Sequence, residues 1–429
     1  MRVLLTSHGS TGDIYPLIAY GRALKDHGHK VCYATAPLYR EEIERAGLDF
    51  APLPPSWGKE IFAEFMRELN RAPHPLLQLI HIYCGGLPFM GEVIDRMDAL
   101  LENSDVMVSS YFFPHYRTLA EKKGVPFATF AFCHNIVPSD LHPPEGIPRL
   151  PGLPRVVSKH WNRFWWRLSN SIVDFVLNKI CGALMREKGL PPISGFLTSP
   201  AKLELVTVSP QIMGQRWQPD PAFKFVGYLR WQSPTDPELE KELLAFRGDE
   251  KVPVLTFGSV TFDDTHTIMS RLLKHWPKHK KIIIQSGWAG LSLEVDRPTI
   301  KIVGKVSHDQ LFAHASCVIH HGGAGTTASV LFSGKPQIII PHIADQFFFG
   351  SEIKRLKCGL VLPKKRWPEK LSNRVELIES RTRFRAKAAI IADILRSEDG
   401  PGEAVRVLEE FVRNEKRCAH SDATHSKSG

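Results

Sequence analysis

The sequence predicts an α/β protein of two doubly wound domains facing a central cleft. Short β-rich runs alternate with helical periodicity in both halves, a pattern that builds parallel sheets with helical crossovers. At 429 residues the chain exceeds one ordinary domain of roughly 100–200 residues. A segment rich in Pro, Gly and polar residues, 209–227, separates the two series and reads as a linker.

In order, Arg2–Thr6 is a strand, SHGSTGD a turn, and the stretch from Ile14 to about His27 a helix with Leu17, Ile18, Tyr20 and Leu24 at helical spacing. Strands are expected at Val31–Ala34, Asp105–Ser109, Pro126–Phe132 and Leu203–Val208, with a Pro-rich stretch and a Trp/Arg-rich helix between the last two. The second half repeats the alternation: strands at Val254–Phe257, Ile282–Gln285, Ile300–Val303, Cys317–His320 and Gln337–Pro341, helices at Thr267–His275 and Gly325–Ser333. The expected division is 1–214 and 215–412, with 413–429 a polar, disordered tail.

Lys and Arg outnumber Asp and Glu by 55 to 45, giving a net charge of +10. The excess is spread out, so a phosphorylated small molecule or an anionic lipid surface is expected and nucleic acid is not. Seven cysteines at scattered spacings, with no C-x-x-C pair, point to reduced thiols in a cytoplasmic protein. The N-terminus is too short in apolar residues for a signal peptide. No run of about 18 apolar residues is seen; the stretch at 76–90 is broken by His81, Gly85, Gly86 and Pro88.

The segment HHGGAGTT, His320–Thr327, carries the chemistry. A buried strand runs into two histidines and three glycines (Gly322, Gly323, Gly325), then Thr326 and Thr327 open a helix. Glycines admit close backbone approach, and a helix N-terminus presents free N–H groups with a positive dipole end; together they suit a diphosphate. A P-loop is excluded, because Gly334-Lys335 is followed by Pro336. The first turn offers only Gly9 and Gly12, short of a dinucleotide fingerprint.

From about Lys305 to Gly359 the chain resembles the donor-binding motif of GT-B-fold glycosyltransferases that use UDP- or TDP-sugars, most closely the branch of sterol glucosyltransferases and of glycopeptide and macrolide glycosyltransferases. SHGSTGDIYPLIAYGRAL resembles the N-terminal GDxxP signature of that branch, and FVGYL (225–229) and FGSV (257–260) fit the start of its second domain. The resemblance implies two Rossmann-like domains. It places the diphosphate on His321, Gly322, Gly323, Gly325, Thr326 and Ser259, the sugar hydroxyls on Asp345 and Gln346, and the nucleobase near the backbone of Val306. His320 is either a ligand contact or structural. Where the plant branch has a ribose-binding Glu, this chain has Ser329, and where it has a catalytic His this chain has Asp13.

Asp13 is therefore the candidate general base for inverting transfer, and His8 on the same turn is the alternative. The structural reading of Asp13 is a helix N-cap; the roles can coexist. Asp263-Asp264 lacks the D-x-D spacing of metal-dependent enzymes, so neither a metal nor a resident cofactor is expected. Phe112, Phe113 and Phe132 are candidates for an apolar acceptor pocket, with core packing as the alternative. Trp161–Arg167 is a candidate membrane contact or an internal packing face. The expected activity moves a hexose to a hydroxyl of a lipophilic small molecule such as a sterol, lipid or polyketide. A nucleotide-sugar 2-epimerase of the same fold and a non-catalytic binding relic are the alternatives.

Overall fold

The computed structural model describes all residues except 73, 149, 151, 153, 200, 214–219, 259–264, 287–296, 344 and 426–429. Seven runs form the first sheet: β1 (Arg2–Thr6), β2 (Lys30–Thr35), β3 (Asp49–Pro52), β4 (Val106–Ser110), β5 (Phe127–Ala131), β6 (Leu203–Val206) and β7 (Phe223–Phe225). Their order is β3-β2-β1-β4-β5-β6-β7, parallel throughout. β4, β5 and β6 are buried at every position, as strands covered by helices on both faces must be. The helices of this half are α1 (Thr11–Asp26), α2 (Arg40–Arg45), α3 (Lys59–Arg71), α4 (Pro75–Leu101), α5 (Pro114–Lys122), α6 (Arg155–Glu187) and α7 (Pro210–Met213).

The second sheet holds β8 (Val252–Thr256), β9 (Ile282–Gln285), β10 (Ile300–Val303), β11 (Ala315–His320), β12 (Gln337–Ile339) and β13 (Gly359–Val361). Its order is β10-β9-β8-β11-β12-β13, again all parallel. Around it lie α8 (Pro237–Arg247), α9 (Thr265–His275), α10 (His308–Ala313), α11 (Ala324–Ser333) and α12 (Asp345–Arg355). α13 (Trp367–Ser380), α14 (Thr382–Arg396) and α15 (Gly400–His425) complete the chain. In each sheet the strand order reverses beside the first strand, between β1 and β4 and between β8 and β11. Ligands of doubly wound sheets bind outside the strand C-termini at such switch points. Both glycine-rich turns lie there, after β1 and after β11.

Four expectations need correction. The Pro-rich segment from 209 contains β7, so the first sheet extends past residue 214 to Phe225. The polar tail is helical: α15 continues to His425. Its Val405, Leu408 and Val412, an apolar stripe at i, i+3 and i+7, are buried in the core of the first domain with Leu17, Tyr20 and Leu24. The last helix therefore returns to the N-terminal half, with Arg406, Glu410, Arg413, Asn414, Lys416 and Arg417 exposed. The start of α1 is Thr11, not Ile14. Finally, α4 runs unbroken through Gly85, Gly86 and Pro88 and is, among the described residues, a helix long and apolar enough to cross a membrane. Leu79, Tyr83, Met90, Val93, Ile94, Met97 and Leu101 are buried on one side of it in the first domain's core.

Candidate active site

The turn after β1 is built around a capping box. Ser10 is the N-cap of α1, its hydroxyl accepting from Gly12 N–H (3.3 Å), while Asp13 Oδ2 accepts from Ser10 N–H (2.8 Å) and Ser10 Oγ (3.2 Å). Asp13 is thus the third residue of the helix and not its N-cap; Ser10 competes better because a short hydroxyl reaches the first-turn N–H groups. Gly9, at φ +132°, leaves the Asp13 carboxylate the space a β-carbon would fill. Burial raises the Asp13 carboxyl to about 6, against the pull of the Ser10 hydrogen bonds.

His8 lies 2.6 Å through Nε2 from Tyr116 Oη and edge-on to Phe113 (5.0 Å). Burial lowers it to about 4, so it is a neutral imidazole already engaged with a phenol. Of the two base candidates, Asp13 is the one tuned toward neutral pH.

On the facing lobe, β11 separates the roles of its two histidines. His320 is fully buried; its Nδ1 accepts from Gly322 N–H (3.1 Å) and its Nε2 lies 2.8 Å from Gln337 Oε1. Both ring nitrogens are used inside the protein, so His320 holds the turn and does not reach a ligand. His321 is the reverse: its buried Nδ1 has no partner in the protein. Its ring covers Gly323, where a β-carbon would collide with Nε2, and adjoins Gly258, where one would come within 3.2 Å of Cε1. Burial, followed by His320, His342 and His308, holds its pKa well below the usual range. His321 is therefore a neutral imidazole.

Gly323 is the N-cap of α11 and supplies no side-chain cap, which leaves first-turn N–H groups for an anion. Thr326 and Thr327 are buried, and Thr327 Oγ1 has no partner. Gly322 takes φ +95°, and a β-carbon there would stand 2.7 Å from Ile339 Cγ2 and 3.1 Å from the Gln346 carbonyl; the turn is pressed onto α12. A β-carbon on Gly325 would lie 3.9 Å from Gly12 Cα. The two glycine-rich helix starts, one from each lobe, meet face to face.

Asp345 and Gln346 begin α12. Gln346 Oε1 accepts from the N–H groups of His342 (2.8 Å) and Ile343 (3.2 Å), so its amide NH₂ is the end left for a hydroxyl. The Asp345 carboxyl is raised to about 7, by burial first and then by the charges of Glu145 and Asp13. Asp13 and Asp345, from opposite lobes, thus lie within each other's field. The Val306 carbonyl accepts from Gln285 Nε2 (3.3 Å). Next to it, Lys305 pairs with Glu42 (3.1 Å) and lies 5.9 Å from the Tyr15 ring, closing the cleft at that end. Ser259, Asp263 and Asp264 lie outside the described residues.

Phe112 and Phe113 are half-buried beyond β4, Phe113 against His8. Phe132 is half-buried beyond β5 and edge-on to Phe130 (5.0 Å), which is wholly core. Sequence reasoning missed Glu145, whose Oε2 accepts from Asn135 Nδ2 (3.0 Å) and whose carboxyl burial raises to about 7. It also missed Trp57, Phe65 and Phe89, clustered at 5.1 and 5.9 Å where α3 meets α4. α4 is held to the end of β4 by Tyr83 Oη donating to the Phe112 carbonyl (2.8 Å). The 57–71 stretch has strong helical amphipathicity, a signal that could have found the last group.

Residues 3–83 match the model of the glycosyltransferase family 28 N-terminal domain, and residues 282–411 that of the erythromycin biosynthesis protein CIII-like C-terminal domain. The chain is similar to a vancomycin aglycone glucosyltransferase of Amycolatopsis orientalis, 26% identical over 97% of this chain and 99% of the relative. It is also similar to a sterol 3-beta-glucosyltransferase of Arabidopsis thaliana, 27% identical over 94% of this chain and 67% of the relative. The fold matches that of the Streptomyces sp. SF2575 glycosyltransferase SsfS6 solved with thymidine diphosphate: TM-score 0.64, 20% identity, covering 96% of this chain and 99% of the other.

Proposed function

We propose the following reaction for this chain, which belongs to the GT-B-fold glycosyltransferases: a hexose passes from UDP or TDP to a hydroxyl of a lipophilic acceptor, with inversion at the anomeric carbon. The observation that carries it is the meeting of Gly12 and Gly325, which brings a tuned carboxylate and an uncapped helix start to one point from opposite lobes. Asp13 takes the proton of the acceptor hydroxyl as its oxygen attacks the anomeric carbon. The bond to the diphosphate breaks on the other side, and the departing charge falls on the α11 N-terminus, with His321 as hydrogen-bond partner. Asp345 and the Gln346 amide hold the sugar hydroxyls. His8, Phe112, Phe113 and Phe132 form the acceptor side. Because the helix start and imidazole meet the leaving charge, the reaction proceeds without a metal ion. The relatives named for aglycone and sterol transfer, and the thymidine diphosphate in the matching fold, support this reading.

The test is to supply α-linked UDP- and TDP-glucose with a panel of sterols and macrolide aglycones in the presence of EDTA, and to read the product by NMR. A β-linked glucoside is expected. An α-linked product would overturn inversion, and turnover restored only by manganese or magnesium would overturn metal independence.

A further inference from the structure

Among the described residues, α6 presents an apolar stripe to the outside of the first domain. Val157, Trp161, Phe164, Leu168, Ile172 and Phe175 recur at steps of four and three, one face of a helix. Val157 is 48% exposed, Phe164 55%, Ile172 41% and Phe175 63%, more than ordinary single surface apolars. Arg167, Lys179 and Arg186 edge the stripe, and Arg155 and Lys159 lie at the N-terminal end of the helix. Arg155, Arg167 and Arg186 are exposed, and the Lys179 ammonium lies 5.6 Å from the Phe175 ring. Lys159 and Arg163 share one acid, Asp140. The helix carries only two acids: Asp174 is turned inward onto the N–H groups of Gly195 and Phe196, leaving Glu187 outside.

The opposite face of α6 leads to the cleft. Trp166 Nε1 donates to the His142 carbonyl (3.0 Å), and the His142 ring lies 6.4 Å from that of Phe348 in α12, three residues beyond Asp345.

We propose that α6 lies flat on an anionic lipid bilayer, its aromatic stripe among the acyl chains and its arginines at the headgroups. The complementarity is one of charge as well as polarity: outward cations exceed outward acids along the whole helix, and the chain carries a net +10. Aromatic and aliphatic residues on one face with Arg and Lys beside them are the composition of interfacial helices. The docked face is linked to the donor side of the cleft through Trp166, His142 and Phe348. The docking itself does not depend on the transfer chemistry.

Vesicle sedimentation tests this with the full chain. The parent should pellet with phosphatidylcholine–phosphatidylglycerol vesicles, pellet far less with phosphatidylcholine alone, and be released by salt. Phe164→Glu with Phe175→Glu should lower the partition at least about tenfold, with an unchanged circular dichroism spectrum and melting midpoint. Arg167→Gln with Arg186→Gln should weaken only the anionic arm. A parent that stays in solution with both vesicles, or a Phe variant that pellets like the parent, overturns the proposal. A dimer in size exclusion that the Phe variant splits would assign the stripe to a second copy of the chain and overturn it equally.

Discussion

Gly323 sits beneath the His321 imidazole, where any β-carbon would meet Nε2. Gly323→Ala should therefore displace the ring proposed to meet the phosphates while leaving the buried strand β11 intact. The prediction is a folded protein in which UDP and TDP no longer raise the melting midpoint; at about 100 times its dissociation constant a nucleotide adds about 2.7 kcal/mol to the parent. An alanine variant with the parent's nucleotide shift would remove His321 from the site. The motif itself was legible, since glycines, histidines and threonines occur together at a strand–helix junction. The role of His320, left open between ligand contact and packing, was not, because it follows from His320 still standing in the β-ladder opposite Thr256 and Ile339, with its ring facing Gln337. Glu145 was illegible for another reason: in a stretch of prolines no periodicity assigns a side, and its setting depends on Asn135, ten residues away.

Among the elements misread from sequence is α15, whose residues from 413 on were expected as a disordered tail. Its composition is polar, yet three apolar residues one and two turns apart suffice to anchor it, and Tyr20 Oη donates to the Ala404 carbonyl (3.2 Å) while His29 Nε2 meets Glu409 (2.9 Å). Leu408 is fully buried. Leu408→Ala should cost about 2–5 kcal/mol, read as a lower denaturation midpoint. A loss below about 1 kcal/mol would mean that α15 is only loosely held against the first domain. β7 escaped notice because three residues between prolines and glycines are shorter than any periodic signal; only pairing with β6 makes them a strand. α1, α9, α11 and the strands from β1 to β12 other than β3 and β7 were placed within a few residues, whereas the long helices α4, α13 and α14 were not assigned.

At the scale of the whole molecule, two doubly wound lobes were legible from alternation, while their closed contact rests on residues far apart in sequence. The closed, buried cleft has consequences for pH. Burial lowers seven histidines among the described residues: His8, His115, His134, His308, His320, His321 and His342. The unfolded chain binds more protons at these sites below about 6.5, so stability falls as pH drops from there toward 4. Burial raises Asp13 to about 6, Glu145 and Asp345 to about 7 and Glu204 to about 8. The folded chain holds those protons longer, so their contribution falls as pH climbs from about 4 toward 8. The two sets oppose each other below about 6.5, where the histidines are more numerous; above it only the carboxyls act. The melting midpoint should peak near pH 6–7, roughly where the two ranges cross, and Glu204→Gln should flatten the alkaline limb. A midpoint that rises steadily to pH 9 would contradict this.

The central claim is that each lobe supplies half of one reaction centre, Asp13 acting on the acceptor and the β11–α11 turn on the donor. The most direct measurement is turnover of Asp13→Asn beside its nucleotide-induced melting shift. Asparagine keeps an oxygen for the Ser10 capping box but cannot take the acceptor's proton. Loss of a general base costs roughly 10²–10⁴ in rate, so turnover should fall at least about a hundredfold while UDP or TDP stabilises the variant as it does the parent. Near-parental turnover in Asp13→Asn, together with its loss in His8→Ala, would contradict the account and move the base to His8.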